Sequence, residues 1–209
     1  MFMLISERMH SRSTAIGHHD CAVCVSQQPF SQVVENNYFC LFGLRLLRLE
    51  HVANYPRCDR CETAFRAGNL TEPALTEVVN WVLAYLWSGF GMSHRLDLAE
   101  EIGRKVTGRG GSEQRIETCM LQLARRDISD VLRDEAIGLN LRGKLQIIHV
   151  AFLATYACCE IQHEDRLRIN LMGTALGVSL EAVEAAIQSV RQRGYYGVQR
   201  QLSTHSQAS

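Results

Sequence analysis

The sequence predicts a mainly α protein with a small β segment near its N-terminus. From about residue 75 onward, apolar residues recur at three- and four-residue spacing, which is typical of amphipathic helices. Between residues 21 and 65, short aromatic and β-branched runs are separated by turn residues, which indicates two or three short strands. The stretch RAGNLTEP, residues 66–73, separates these two patterns.

The same patterns divide the 209 residues into four parts. Residues 1–17 are polar and irregular, which predicts a flexible N-terminus, and residues 18–66 contain the β segment. Residues 71–197 form the predicted all-α domain, and residues 198–209 a disordered tail. With 46% hydrophobic and 21% charged residues, the composition is that of a soluble globular protein.

The predicted helices begin and end at residues that favour helix termini. The first starts near Thr71, the second runs from Ser93 to Gly108, and the third begins at Ser112. Later helices are predicted around Val131 and in the segments LQIIHVAFLATY, HEDRLRINLMGTALG and SLEAVEAAIQSVRQRG.

Charge and apolar runs limit the classes of partner and the compartment. The 22 basic and 22 acidic residues cancel, so a polyanion would need a local basic patch. The apolar runs are shorter than the roughly 20 residues that a membrane span needs, and the N-terminus lacks the pattern of a secretory signal. Eight cysteines without an export signal indicate a reducing compartment, so we expect a cytoplasmic protein with thiols rather than disulfides.

Two CxxC pairs are the strongest chemical signal in the chain. They are CAVC, with Cys21 and Cys24, and CDRC, with Cys58 and Cys61, separated by 33 residues. Four soft thiolates on two turns are the ligand set of a tetrahedral structural zinc site, so we expect one Zn²⁺ there.

Two other interpretations of these cysteines stay open. They could be four reduced thiols without metal, or a redox pair, although neither pair begins a helix in a βαβ pattern. His18, His19 and Cys40 are near enough in sequence to act as ligands, but four cysteines already complete the shell. We therefore expect these three residues to take no part.

The segment from CAVC through YFCLFGLRLLRLEHVANYPRCDRC resembles a short zinc ribbon, in which a CPxC knuckle, an aromatic strand pair and a closing CPxCG follow one another. The resemblance covers roughly residues 18–65 and implies a structural role for the metal. Both knuckles lack the usual Pro, and Val25 and Glu62 stand where the ribbon has Gly.

The helical part is similar to the tellurite-resistance TerB-like domain. ACCEIQHED, residues 157–165, and ALGVS, residues 175–179, resemble its ADGxIxxxE turn and its LGLS helix end. The resemblance implies an all-helical fold and a link to bacterial stress. Cys158 and Cys159 replace the Asp and Gly of that turn, which removes an oxygen ligand for a hard cation, so we predict no metal there.

Three further features allow either a functional or a structural interpretation. Cys158 and Cys159 are either a redox or soft-metal group or small core residues, and His149 is either a base or a hydrogen-bonded core residue. The segment RQRGYYGVQR, residues 191–200, is either a contact surface for an acidic partner or nucleic acid, or a solvated helix end. For each of the three, the structural interpretation is favoured.

The sequence therefore favours a non-enzymatic, zinc-binding interaction or scaffolding protein with an unidentified protein partner. No catalytic motif such as GxSxG or HExxH is present in the sequence. The alternatives are a nucleic-acid-binding regulator, which would use the ribbon and the Arg/Tyr segment, and an enzyme or metal-stress sensor based on Cys158 and Cys159.

Overall fold

The computed structural model of the protein describes residues 5–42, 44–91, 95–109 and 112–200. The chain divides into two compact units. The first, the β unit, contains Met1–Ala74 and Ile137–Asn140, and the second, the helical unit, contains Leu75–Ala136 and Leu141–Ser209.

The prediction of a mainly α protein with a small β ribbon and an all-α TerB-like bundle is wrong, because strands make up about 29% of the described residues and helices about 51%. Three long strands form an antiparallel sheet in the order β1-β2-β3, and two short strands form a second sheet. The strands are β1 Ile5–Cys21, β2 Ser26–Leu41, β3 Leu44–Cys58, β4 Phe65–Arg66 and β5 Asn69–Pro73.

The largest error concerns the N-terminus, because residues 5–17, expected to be flexible, belong to β1. Residues 7–18 are exposed and mostly polar, so they lack the apolar alternation that marks a half-buried strand. Strand β1 instead pairs along its whole length with β2, from Ile5 opposite Leu41 to Cys21 opposite Ser26. Backbone pairing rather than side-chain burial is what orders this strand.

The core of the β unit lies at the end of the sheet that carries the cysteines. Phe30 and Phe65 are fully buried there, with ring centroids 5.2 Å apart. A second small cluster, of Val33, Ala53, Tyr55 and Ala64, lies next along the strands. Toward the other end of the sheet, residues 44–51 of β3 are all exposed.

Seven α-helices lie in the described part of the chain after β5. They are α1 Ala74–Gly89, α2 Leu96–Thr107, α3 Glu113–Leu123, α4 Ile128–Ala136, α5 Leu141–Cys158, α6 His163–Ala175 and α7 Leu180–Gln192. None of them is long and apolar enough to cross a membrane.

Several helix ends follow the predicted capping residues, but the predicted helix start near Thr71 is wrong, because Thr71 lies in strand β5 and α1 begins at Ala74. Gly108 ends α2 with φ 76°, and its N–H donates to the Arg104 carbonyl at 2.8 Å. Ser112 precedes α3, and the Ser179 hydroxyl accepts from Ala182 N at the start of α7. The predicted helix start at Ser93 and residues 201–209 of the predicted tail lie outside the described residues.

Helix α5 is the centre of the helical unit and contacts α2, α6 and α7. It buries residues on nearly all its faces, including the polar side chains of Lys144, His149 and Thr155. A helix surrounded by neighbours loses the one-sided apolar pattern that amphipathic helices show. Residues of α5 are therefore buried on more than the single face expected of an amphipathic helix.

Candidate metal centre

The two CxxC turns lie at the same end of the three-stranded sheet. Strand β1 ends at Cys21 and strand β3 ends at Cys58, opposite Phe30 of β2. Each turn is closed by the same backbone hydrogen bond: Val25 N donates to the Cys21 carbonyl at 2.8 Å, and Glu62 N to the Cys58 carbonyl at 2.9 Å. Two turns of the same shape therefore present the four thiols to each other.

The Sγ atoms of Cys21, Cys24, Cys58 and Cys61 all lie within 4.8 Å of one another. Those of Cys21 and Cys61 are 3.7 Å apart. A tetrahedral zinc with Zn–S bonds of about 2.3 Å places its sulfur ligands about 3.8 Å apart, so the donor set and spacing fit such an ion. Two of the cysteines are buried and two are half-buried, as a closed site requires.

Val25 and Glu62 have the backbone conformation that glycine has in the ribbon the sequence resembles. Their φ angles are 53° and 59°, in the left-handed region that costs side-chain-bearing residues energy. Both side chains point into solvent, with Val25 88% exposed. Each turn therefore holds a side-chain-bearing residue in a conformation that glycine would adopt without strain.

Hydrogen bonds outside the thiols hold the second turn in place. Asp59 donates its N–H to the Pro29 carbonyl at 2.9 Å, and its carboxylate accepts from the Ser31 hydroxyl at 2.8 Å. Asn140, in the same compact unit, donates its side-chain N–H to the Glu62 carbonyl at 2.8 Å. The turn is thus tied to β2 and to residues 137–140 independently of any metal.

The thiols differ in acidity in the metal-free protein. Burial, with hydrogen bonds from Cys21 and Cys61, raises the pKa of Cys24 to about 12, and burial also raises the pKa of Cys58. Burial acts in the same direction on Cys61, but hydrogen bonds from the Thr63 side chain and backbone outweigh it and lower its pKa to about 7. A metal ion must therefore displace protons when it binds.

The other residues considered as ligands lie elsewhere. Cys40 is opposite Arg45 near the far end of β2 and β3, and the His19 Nε2 atom lies 3.2 Å from the Ile16 carbonyl oxygen. The His19 ring also packs edge-on against Phe30, with centroids 5.6 Å apart. The described cluster of metal-binding groups consists of the four CxxC cysteines alone.

The cysteines at the end of α5 have the properties of structural residues. Cys158 is buried, which together with the neighbouring Cys159 raises its pKa to about 12. Burial and the charge of Asp165 raise the pKa of Cys159 to about 11. Asp165 itself accepts from Gln162 N at 3.0 Å and so caps the start of α6. Thiols that stay protonated near neutral pH are poor nucleophiles. Neither cysteine belongs to the cluster of metal-binding groups found among the described residues.

Taken together, the geometry shows a four-thiol cluster that can hold a metal ion. Such a closed shell offers no coordination position for a substrate. Comparisons of the chain with protein families, with curated proteins and with solved structures found no match.

Proposed function

We propose that this protein is a non-enzymatic, zinc-binding interaction module. One structural Zn²⁺ on the four CxxC cysteines would fix the base of the sheet, and the exposed part of the sheet would bind a protein partner. The observation that supports the zinc site is the four Sγ atoms within 4.8 Å of one another. Zinc is the metal of choice because soft thiolates in a closed tetrahedral shell favour it over hard cations.

The metal would supply stability that the β unit lacks. Its large buried aromatic residues near the site are Phe30 and Phe65, while much of β1 and β3 is exposed. In small zinc domains, binding contributes on the order of 10 kcal/mol to folding. We therefore expect the pairing of β1, β2 and β3 to weaken first at the cysteine end when the metal is removed.

The proposed partner surface is the distal arm, defined as residues 5–12, 36–42 and 44–51. At the tip of the arm, Phe42, Leu44 and Leu47 are 72%, 68% and 65% exposed. Leu46 and Leu49 are also exposed, so apolar side chains are concentrated over one short stretch. Isolated exposed leucines are common, so it is the concentration of exposed apolar side chains that supports assigning the partner surface to this arm.

We propose that the partner contributes a β-strand with apolar side chains and acidic residues beside it. Strand β3 lies at the edge of the described three-stranded sheet. Its described backbone bonds outside that sheet begin at Asn54, so the outer edge of residues 44–51 is available for strand addition. The distal arm carries four arginines and two glutamates, which favours an acidic partner. A partner with this chemistry can be imitated by a synthetic strand peptide.

The nucleic-acid alternative has less support, because the Arg/Tyr segment is engaged internally. The Tyr195 ring stacks on the Tyr156 ring with centroids 4.1 Å apart. The Arg200 guanidinium lies over the Tyr156 ring, 4.7 Å from its centroid. On the β unit, Arg57 pairs with Asp59 at 3.3 Å. Ring faces that are already stacked are not available for bases.

Metal content per chain tests the zinc site. We expect one zinc per chain by elemental analysis, lost in Cys58→Ser and in Cys61→Ser but kept in Cys40→Ser, which removes a cysteine outside the cluster. A chain that purifies without zinc and does not bind it on titration would refute the site.

A synthetic strand peptide tests the arm. An eight-residue peptide of alternating leucine and threonine with flanking glutamates should bind the protein, and N-methylation of alternate amides should abolish binding because it blocks strand addition. Leu44→Lys with Leu47→Lys should also abolish it, whereas Leu180→Lys, at an exposed leucine on α7, should not. Equal binding of the N-methylated peptide would contradict strand addition.

A further inference from the structure

The helical unit contains a cleft of about 560 Å³ beside α2, α5 and α7. This volume is within the range of small-molecule sites, about 300–1,000 Å³. The part of the cleft that the structure describes has no aspartate or glutamate in its lining. Its apolar wall consists of Val106, Leu141, Leu145, Ala182, Ala185 and Ala186.

Two arginines line the same cleft. Arg142, in the first turn of α5, and Arg193, just after α7, are both exposed. Arg193 uses Nη1 for a bond to the Tyr196 hydroxyl, which leaves its other N–H donors for an incoming molecule. Guanidinium groups only donate hydrogen bonds and keep their positive charge at every physiological pH. A cleft with an apolar wall and two such donors is complementary to an apolar molecule with an anionic end.

A hydrogen-bonded chain leads from one of these arginines to a buried histidine. Arg193 Nη1 donates to the Tyr196 hydroxyl at 2.8 Å, and that oxygen lies 3.2 Å from His149 Nδ1. Burial, and then the charge of Arg193, lowers the pKa of His149, so the imidazole is neutral near pH 7. If the Tyr196 hydroxyl, which accepts from Arg193, donates to Nδ1, the neutral imidazole carries its proton on Nε2.

A strained turn brings Tyr196 to this position. Gly194, Tyr195, Tyr196 and Gly197 have φ angles of 59°, 54°, 52° and 68°, a run of left-handed residues that includes two tyrosines. This backbone conformation is unfavourable for a residue that carries a side chain. Tyr195 is held by its stacking on Tyr156, and Tyr196 by its bonds to Arg193 and His149. Such strain is found where a side chain must be held in one place.

We propose that this cleft binds a small organic anion with an aliphatic body, such as a medium-chain carboxylate. The carboxylate lies at the rim with Arg142 and Arg193, and the alkyl chain lies along Leu145, Ala182 and Ala186. The chain from Arg193 to His149 positions the guanidinium. Neither the cleft nor this ligand depends on the metal centre or on the distal arm.

Calorimetric titration with octanoate tests the proposal, with 1-octanol as the neutral match. We expect saturable one-to-one binding of octanoate, and binding of octanol at least about tenfold weaker, because loss of a charge-assisted hydrogen bond costs roughly a factor of ten. Ala182→Leu, which fills the cleft at a half-buried position of α7, should abolish octanoate binding.

Arginine variants locate the anion. Arg142→Gln with Arg193→Gln should weaken octanoate binding at least about tenfold and leave octanol unchanged, whereas Arg125→Gln, at an exposed arginine outside the cleft, should change neither. Circular dichroism and zinc content check that each variant is folded. Octanol binding as tightly as octanoate, undiminished binding by Ala182→Leu, or no binding at all would overturn the proposal.

Discussion

Relief of backbone strain at the first CxxC turn should make the protein more stable. Val25 has a φ of 53° and a side chain that is 88% exposed, so Val25→Gly removes strain and almost no packing. A β-branched residue in this region costs about 1–3 kcal/mol, while glycine adds about 0.5–1 kcal/mol of unfolded-state entropy. Val25→Gly should therefore raise the free energy of unfolding by about 1 kcal/mol.

Urea unfolding at a fixed free zinc concentration measures this effect. Val23→Gly is the matched control, because Val23 lies in the same turn, is 43% exposed and is not among the described residues with positive φ. Val23→Gly adds the unfolded-state entropy of glycine without relieving strain. Its free energy of unfolding should therefore fall by about 0.5–1 kcal/mol. If Val25→Gly loses as much as Val23→Gly, the left-handed conformation is not strained and the reasoning fails.

Three further predictions concern packing and metal loading. Gly173→Ala should destabilise the protein by about 1–2 kcal/mol in urea unfolding, because the added Cβ would overlap Val183 Cγ2. Adding Val183→Ala to this variant should restore most of the lost stability. Asn80→Leu should stabilise the protein by about 1–2 kcal/mol, since the fully buried Asn80 amide has no hydrogen-bond partner among the described residues. A loss of stability would mean that the amide does have a hydrogen-bond partner. The pKa values of Cys24 and Cys58 are raised, so these thiols are protonated until metal binds. The apparent zinc affinity, measured by chelator competition, should therefore fall about tenfold per displaced proton for each pH unit below pH 8. An affinity independent of pH would contradict this.

The local features of the fold could be predicted from the sequence. Helix ends at Gly108 and Ser179 follow from side-chain chemistry within one turn of the chain. The four cysteines come together because each pair lies on its own tight turn, and the two turns meet at one end of the sheet. The identity of the metal stays a prediction.

The long-range features could not be predicted in the same way. Most of strand β1 is exposed and its side chains are mainly polar, so its order comes from pairing with β2, which leaves no hydrophobic period in the sequence. The cleft requires α2, α5 and α7 to be placed side by side, and its arginines are far apart in the chain. The run GYYG did stand out in the sequence, but only its φ angles show that it is a strained turn.

Strain in this molecule coincides with the places to which we assign a function. The described non-glycine residues with positive φ are Val25, Phe42, Glu62, Tyr195 and Tyr196. They lie at the two CxxC turns, next to the start of β3 in the distal arm, and beside the cleft. Strained residues persist only where the surroundings hold them or where function requires them.

These sites should respond differently to glycine. At Val25 the side chain makes little contact, so glycine should raise stability and leave metal binding intact. At Tyr196 the side chain carries the bonds to Arg193 and His149, so glycine should relieve the same backbone strain but weaken octanoate binding. A strained residue with an engaged side chain is therefore a functional candidate, whereas one with a solvated side chain is a route to greater stability.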